Sequence, residues 1–427
     1  MPSSIDAAAA SRSVPRAQSG GSAPLVQAAA CGILGVAILL WFEPFDLLQH
    51  VPGRFSSVLL PAAGLAVLVA TPARKLAAIP VSLSLVAFTV WAIVTRVWSV
   101  SPFNTELEIR VALLPILIVI AVAATIPPLV AARTLVVTMI GIVLWSLGTS
   151  LALPISRAVT LNDLGDRQIG FRGGFGHKNQ LGIFAVYALC LFIPFVRSRF
   201  RSLLIGLTIA TILATRSATA GSGLFLVVYV WMWTSAIASQ RTKHERSMLM
   251  ILSLVSAVAA VLSALGLLPT LLGLYDKDVT FSGRTVIGAE SLKVVGERPL
   301  LGYGFRGVFT PTRPPVMVDL QRDIGAAAAH THNGVIELLL EVGVIGVGLF
   351  ALFVASLVGY VGRTLRRPGT TRFGQWGLLS LCALFLMSMS EPLFEGPHLG
   401  LLGIVWVVLV RAHHEDKALT SSPPVSP

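Results

Sequence analysis

The feature that most constrains this chain is a repeated apolar run. A helix needs about 20 mostly apolar residues to cross a bilayer. Runs of this kind fall near 25–42, 57–71, 77–97, 111–127, 134–153, 179–196, 202–215, 221–239, 248–274, 333–361, 375–391 and 398–411. The second and seventh are short enough to be partial spans. Only 12% of the 427 residues are charged, against about 25% in a soluble domain. The expectation is an all-α polytopic membrane protein of about 12 transmembrane helices, with a large loop before the tenth.

Charge orients the helices. Counting turns alternately, one side receives Arg74 and Lys75, Arg133, Arg197, Arg199 and Arg201, Arg241, Lys243 and Arg246, then Arg363, Arg366, Arg367 and Arg372. The opposite short loops hold only Arg54, Arg96, Arg110 and Arg216. Basic loops stay cytoplasmic, so both termini are expected there and the two long polar loops on the other side. The net charge of +12 belongs to these scattered loops, so nucleic acid is not the expected partner. Leu25–Phe42 follows a basic tail but lacks a small-residue cleavage site after it, and reads as a first span, not a signal peptide. Cys31, Cys190 and Cys382 each sit in an apolar run without metal-ligand spacing and read as core or lipid-facing residues. Four regions follow: a disordered tail over 1–22, N-terminal spans over 23–153, a transmembrane domain over 154–412 with outward loops 154–178 and 275–332, and a second disordered tail over 413–427.

The two long loops hold the polar chemistry. In the first, Arg157, Asp163, Asp166 and Arg167 precede Arg172-Gly-Gly-Phe-Gly-His177-Lys178-Asn179-Gln-Leu-Gly182. Glycines permit a tight backbone just before a helix, where free amides can hold an anion, with Arg172 and Lys178 adding charge. A plain re-entry turn whose cations touch lipid phosphates is the competing reading. In the second, Phe281-Ser282-Gly-Arg284 reads as a helix start with Ser282 as N-cap, followed by a short helix over Thr285–Glu297. Leu301-Gly-Tyr303-Gly-Phe305-Arg306-Gly307 is rich in turns and aromatics and could stack on sugar rings, as could many ordinary loops.

That loop ends in His330-Thr331-His332-Asn333 at the start of the tenth helix. The positive helix end disfavours a protonated imidazole by about 0.3–1 kcal/mol, which suits His332 to act as general base. Arginines with planar forks suit a diphosphate. His330 and His332 can also ligate a metal, but no acid or cysteine has matching spacing along the chain, which argues against zinc. Glu337 and Glu341 lie four apart inside an apolar span, where carboxylates are functional candidates; pairing with an arginine from another helix is the plainer role. Glu391 and Glu395 with His398 lie between the last two helices, where they read either as the rim of the same cavity or, more plainly, as a solvated turn.

His332-Asn333 followed by Gly343 and Gly346 resembles the signature of the O-antigen ligase and O-antigen polymerase superfamily, and the Arg172–Gly182 stretch is similar to its exopolysaccharide polymerases. Phe281-Ser-Gly-Arg284 and Pro299-Leu-Leu-Gly-Tyr-Gly are similar to family segments in order and spacing. The resemblance covers roughly 165–350. It implies a bacterial inner-membrane glycosyltransferase at the periplasmic face, using a glycan on undecaprenyl diphosphate without metal or cofactor. It assigns His332 to activating the acceptor hydroxyl and Arg172 and Arg284 to the diphosphate, with Lys178 beside them and His330, Asn333, His177, Asn179 and Glu337 in support. Arg167 is the alternative to Arg172. Polymerisation of repeat units is the expected activity, transfer to lipid A–core the alternative, and a secondary transporter the rival of another class. Lipid and other polysaccharide-assembly membrane proteins are the implied partners.

Overall fold

A computed structural model describes residues 22–42, 53–153, 160–161, 167–168, 170–197, 199–239, 284–325 and 327–421. Its helices are α1 (Ser22–Phe42), α2 (Gly53–Ala70), α3 (Ala73–Ala77), α4 (Leu83–Val94), α5 (Pro102–Glu108), α6 (Leu114–Thr125), α7 (Pro128–Ala152), α8 (Lys178–Phe195), α9 (Arg201–Ala214), α10 (Ala218–Ser239), α11 (Arg284–Glu297), α12 (Pro315–Ile324), α13 (Gly334–Leu365), α14 (Thr371–Ser388) and α15 (Gly396–Ser421). One two-residue hairpin pairs β1 (Thr160–Leu161) with β2 (Arg167–Gln168), Thr160 opposite Gln168.

The protein is an all-α polytopic membrane protein. Among the described residues seven helices are long and apolar enough to span a bilayer, and Val58–Ala70, Leu83–Val97 and Arg201–Ala214 are shorter apolar helices. Each predicted span on described residues coincides with a helix; the one at 248–274, the N-cap at Ser282 and the first tail lie outside them. Some boundaries move for local reasons. The predicted 77–97 span begins only at Leu83, past Pro80, capped by Ser82 whose hydroxyl accepts from Leu85 N. The span expected from 111 starts at Pro102 and passes through a π-helical turn at Ile109–Leu113. The last helix runs on through Ser421, into the stretch expected to be a disordered tail. There Asp416 pairs with Arg367 at 3.1 Å and Arg411 with Glu415 at 3.1 Å.

At the centre lie α8 and α15, each with 83% of its spanning window buried inside the protein. A protein-facing helix has no lipid-facing stripe to keep apolar, so α8 carries Tyr187 and Cys190 within its buried face. α13 packs on α4, α11, α14 and α15, while α8 contacts α7, α9, α10 and α14. The N-termini of α8, α11, α13 and α15 gather at one end of the bundle, joined there through Glu391 and the residues around it. Arg372 feels the charges of both Arg197 and Arg133, so three of the predicted basic turns share a face.

α13 is broken. Gly343 has φ 65° and ψ −176°, outside helical values. The freed backbone is taken up by the Pro299–Gly304 segment: Tyr303 N donates to Leu340 O and Gly304 N to Glu341 O, both at 2.8 Å, and Val344 N donates to Pro299 O at 2.9 Å. Trp91 Nε1 donates to Val342 O at 2.9 Å. A Cβ on Gly343 would sit 2.2 Å from Leu300 O, and one on Gly302 2.6 Å from Glu341 O. That contact gives Gly302 and Gly343 a physical reason: two backbones touch there, and only glycine lets them. Tyr303 and Phe305 are buried here, which corrects the expectation that this segment stacks on sugar.

Candidate functional site

The site is built by a sharp turn and a helix cap. Asn333 precedes α13 in an extended conformation, and its Oδ1 accepts from Val335 N at 3.0 Å and Ile336 N at 3.1 Å. One residue earlier, His332 adopts φ 54°. A branched-ring residue in this left-handed region costs about 1–3 kcal/mol, and such strain concentrates where a side chain must be aimed. The turn brings the His332 ring to 4.0 Å from that of His330, whose Nδ1 accepts from His332 N at 3.2 Å. Buried Thr331 is pinned between them, its N–H donating to Glu337 Oε2 at 2.7 Å.

Glu391 joins three other segments to this pair. Its Oε1 accepts from Asn179 Nδ2 at 2.8 Å and from Arg284 Nη2 at 2.9 Å. Ligand atoms of His330, His332 and Glu391 all lie within 4.8 Å of one another. The structure thus brings together His330, His332, Asn179 and Arg284, which the sequence named, around a carboxylate read there as a solvated turn. Glu391 is 9% exposed. The sequence objection to a metal, that no acid has the right spacing, therefore fails: the acid arrives from another helix end. Two histidines and one carboxylate are a donor set that fits a divalent metal. Glu391 Oε1, however, already carries an amide and a guanidinium.

Other named residues do different work. His177 caps α8: its Nδ1 accepts from Asn179 N at 3.1 Å, and Gln180 Oε1 accepts from His177 N at 3.0 Å, a reciprocal capping box. Phe171 N donates to Ala214 O and Phe175 N to Arg172 O, so together with His177 N and Asn179 N four of the first-loop amides serve the fold rather than an anion. Arg172 Nη1 donates to Gly176 O at 3.1 Å and so braces its own loop. Lys178 is buried with Nζ 3.5 Å from Arg216 O. Neither is among the residues that line the cavity described next.

A cavity of about 500 Å³ opens beside this cluster, lined by His177, Asn179, His330 and Glu391 and, deeper, by Arg306, Glu337, Glu341 and Glu395. Its volume is in the range of small-molecule sites. Arg306 holds φ 48° and pairs with Glu108 at 3.0 Å and Glu395 at 3.7 Å. Desolvation opposes its charge, but Glu395, Glu108, Glu341 and Glu337 together outweigh that and raise its pKa further. Glu337, Glu341 and Glu395 bring carboxylate oxygens within 4.8 Å of one another. At that separation two like charges repel by about 3.5 kcal/mol at an effective dielectric of about 20. Burial raises the Glu395 pKa, with Arg306 working against it. Pairing of Glu337 and Glu341 with an arginine from another helix was the plain expectation; Arg306, from a loop, is instead an electrostatic neighbour of both, while its ion pairs go to Glu108 and Glu395. Sequence reading missed Arg306 as a member of the site, and only its place in a glycine-rich turn marked it; Glu391, Glu395 and His398 line the cavity, the less plain of their two sequence readings.

Comparison with known proteins finds two likenesses. Residues 201–351 match the family model described as O-antigen ligase. The chain is 26% identical over 336 residues to the exopolysaccharide production protein ExoQ of Rhizobium meliloti (strain 1021), covering 73% of this chain and 74% of that protein. Both agree with the resemblance carried by His332-Asn333, Gly343 and Gly346.

Proposed function

We propose that this protein is a bacterial membrane glycosyltransferase that moves a glycan from undecaprenyl diphosphate to an acceptor sugar hydroxyl, and that it polymerises exopolysaccharide repeat units. The observation that carries this is the convergence of His330, His332, Arg284 and Asn179 on Glu391 beside a cavity sized for sugars. His332 takes the acceptor proton, with His330 and the Asn333 cap fixing its turn. Arg284 offers its fork to the diphosphate, and Glu391 holds that fork in place until the ligand arrives. Arg172, which braces its own loop outside the cavity lining, is a further anion contact in this reading. The reading needs no metal: Arg284 offsets the charge of the leaving diphosphate, and the His332 imidazole accepts the proton. The distribution of basic loops supports a site at the periplasmic face of the inner membrane, with both termini cytoplasmic.

The ExoQ likeness favours polymerisation of lipid-linked units; the O-antigen ligase match keeps transfer to lipid A–core as the second reading. A secondary transporter is disfavoured by how the α13 break is filled. Transporters leave the carbonyls of broken helices for ions, whereas those of Leu340, Glu341 and Val342 are occupied by Tyr303 N, Gly304 N and Trp91 Nε1.

The test is purified protein incubated with an undecaprenyl-diphosphate oligosaccharide and no other acceptor, followed by glycan sizing. A ladder of lengthening chains supports polymerisation. Unchanged donor that is consumed when lipid A–core is added supports ligation, and inertness with both acceptors contradicts glycan transfer. The same reaction after exhaustive chelation should be undiminished; loss restored by one divalent metal would assign His330, His332 and Glu391 as its ligands.

A further inference from the structure

Behind His332, α13 presents Glu337 and Glu341, met by Glu395 from the turn before α15. Their relative exposures are 4%, 2% and 7%, and their carboxylates lie within 4.8 Å of one another. The charged and titratable groups around them are Arg306 from the Gly302–Gly307 turn, Glu108 from α5, His398 from the first turn of α15, and His330, His177 and Glu391 around the shared cavity. The three buried carboxylates of the cluster therefore face a single guanidinium, which also pairs with Glu108. Mutual repulsion and burial prevent all of them from ionising together, so the group holds at least one shared proton at neutral pH.

Two further observations link this group to the reaction. Glu341 Oε2, Glu395 Oε1 and His398 Nδ1 are buried without a hydrogen-bond partner among the described residues, and all three side chains line the cavity that His330 also lines. Glu337 Oε2 accepts the N–H of Thr331, the residue between the two histidines, at 2.7 Å. We infer that Glu337, Glu341 and Glu395 form a proton-uptake site that receives the acceptor proton from the His330–His332 pair across this cavity.

The inference rests on the glycan-transfer reading for the source of the proton. In the balanced step the acceptor O–H bond breaks and its oxygen bonds the anomeric carbon. The anomeric C–O bond to the diphosphate breaks, and its electron pair leaves on the phosphate. The proton goes to His332, then to an ionised carboxylate of the cluster, then to solvent, which returns the imidazole to its neutral form. Arg306 keeps the cluster from becoming fully protonated, so that an acceptor oxygen is always present.

The first experiment reads the proton and not the reaction. Infrared difference spectra of the purified protein, titrated through neutral pH, should contain the C=O stretch of a protonated carboxyl. That band should weaken in Glu341→Gln and in Glu395→Gln and survive in Glu395→Asp, which keeps a titrating group. A wild-type protein without the band at neutral pH, or Gln variants that leave it unchanged, overturns the inference whether or not glycan transfer occurs. In the transfer assay Glu341→Gln should lower kcat by ~10-fold or more with KM for the donor unchanged, and added imidazole buffer should restore part of the rate. Unchanged kcat, or a rise in KM alone, would mean that the cluster serves packing or sugar binding instead.

Discussion

The two ends of α13 are built on opposite plans. At its N-terminus, buried carboxylates, paired histidines and two non-glycine residues at positive φ, Arg306 and His332, crowd around a cavity. At its C-terminus, Arg363, Arg366 and Arg367 meet His413 and Lys417 around a shallower cavity of about 310 Å³. Asp416 there pairs with Arg367, and the Arg363 guanidinium lies 4.8 Å from the Tyr360 ring centre. The basic end follows from the rule that orients helices in a membrane: its arginines and Lys417 are not buried and none has a positive φ, with only the His413 ring buried among them. Like charges crowd both ends, but strained backbone and buried carboxylates, both destabilising, concentrate at the N-terminal one, which marks where chemistry is done.

Substitutions sharpen that contrast. His332→Ala should reduce transfer by about 10²–10⁴-fold with membrane insertion and yield unchanged, measured as donor consumed by purified protein. Glu391→Ala should follow, at about 10–100-fold, because it releases Arg284 and Asn179 together. Arg284→Lys should fall nearly as far as Arg284→Ala, since a lysine keeps the charge but loses the fork; full rescue by lysine would mean that simple charge attraction suffices. Gly343→Ala should act on stability, losing more than about 1 kcal/mol, through its φ of 65° and its contact with Leu300 O; thermal unfolding in detergent reads it.

Glu395 gives a pH signature. Its folded pKa is raised by burial, so it holds its proton more tightly in the folded than in the unfolded chain. Its stabilising contribution is therefore complete below the ordinary carboxylate range and is lost as pH rises through the raised folded value. Glu395→Gln should flatten that alkaline decline in melting temperature; an unchanged slope would locate the titration elsewhere. At the basic end, Arg366→Ala should leave transfer unchanged and shift stability by no more than about 0.5 kcal/mol.

What was legible in the sequence follows from physics local to one element. Apolar runs located the helices, and Asn333 at a helix start with two amides to cap made the His332–Asn333 pair readable. The α12 helix is readable in principle, since Pro314-Pro315 opens it and Gly325, at φ 73°, ends it, although it lies inside the stretch whose length and polarity read as loop. Spacing along the chain could not reveal Glu391, which reaches Asn179, Arg284 and the histidines only once four helix ends are assembled. The same limit hid Arg306, whose partners Glu108 and Glu395 come from opposite ends of the sequence. Lys178 looked like an anion ligand because it adjoins His177 and Asn179; helical geometry turns it away from them, toward Arg216 O. Buried carboxylates were flagged by hydropathy alone, but their number and closeness needed the fold.

The most direct test of the account is release of undecaprenyl diphosphate from a labelled lipid-linked oligosaccharide by metal-depleted protein, wild type against His332→Ala. Release matched by glycan lengthening in the wild type, and lost in the variant, is the predicted result. Release that persists at the wild-type rate in His332→Ala, or that requires added metal, would contradict a metal-independent histidine base at this end of the bundle.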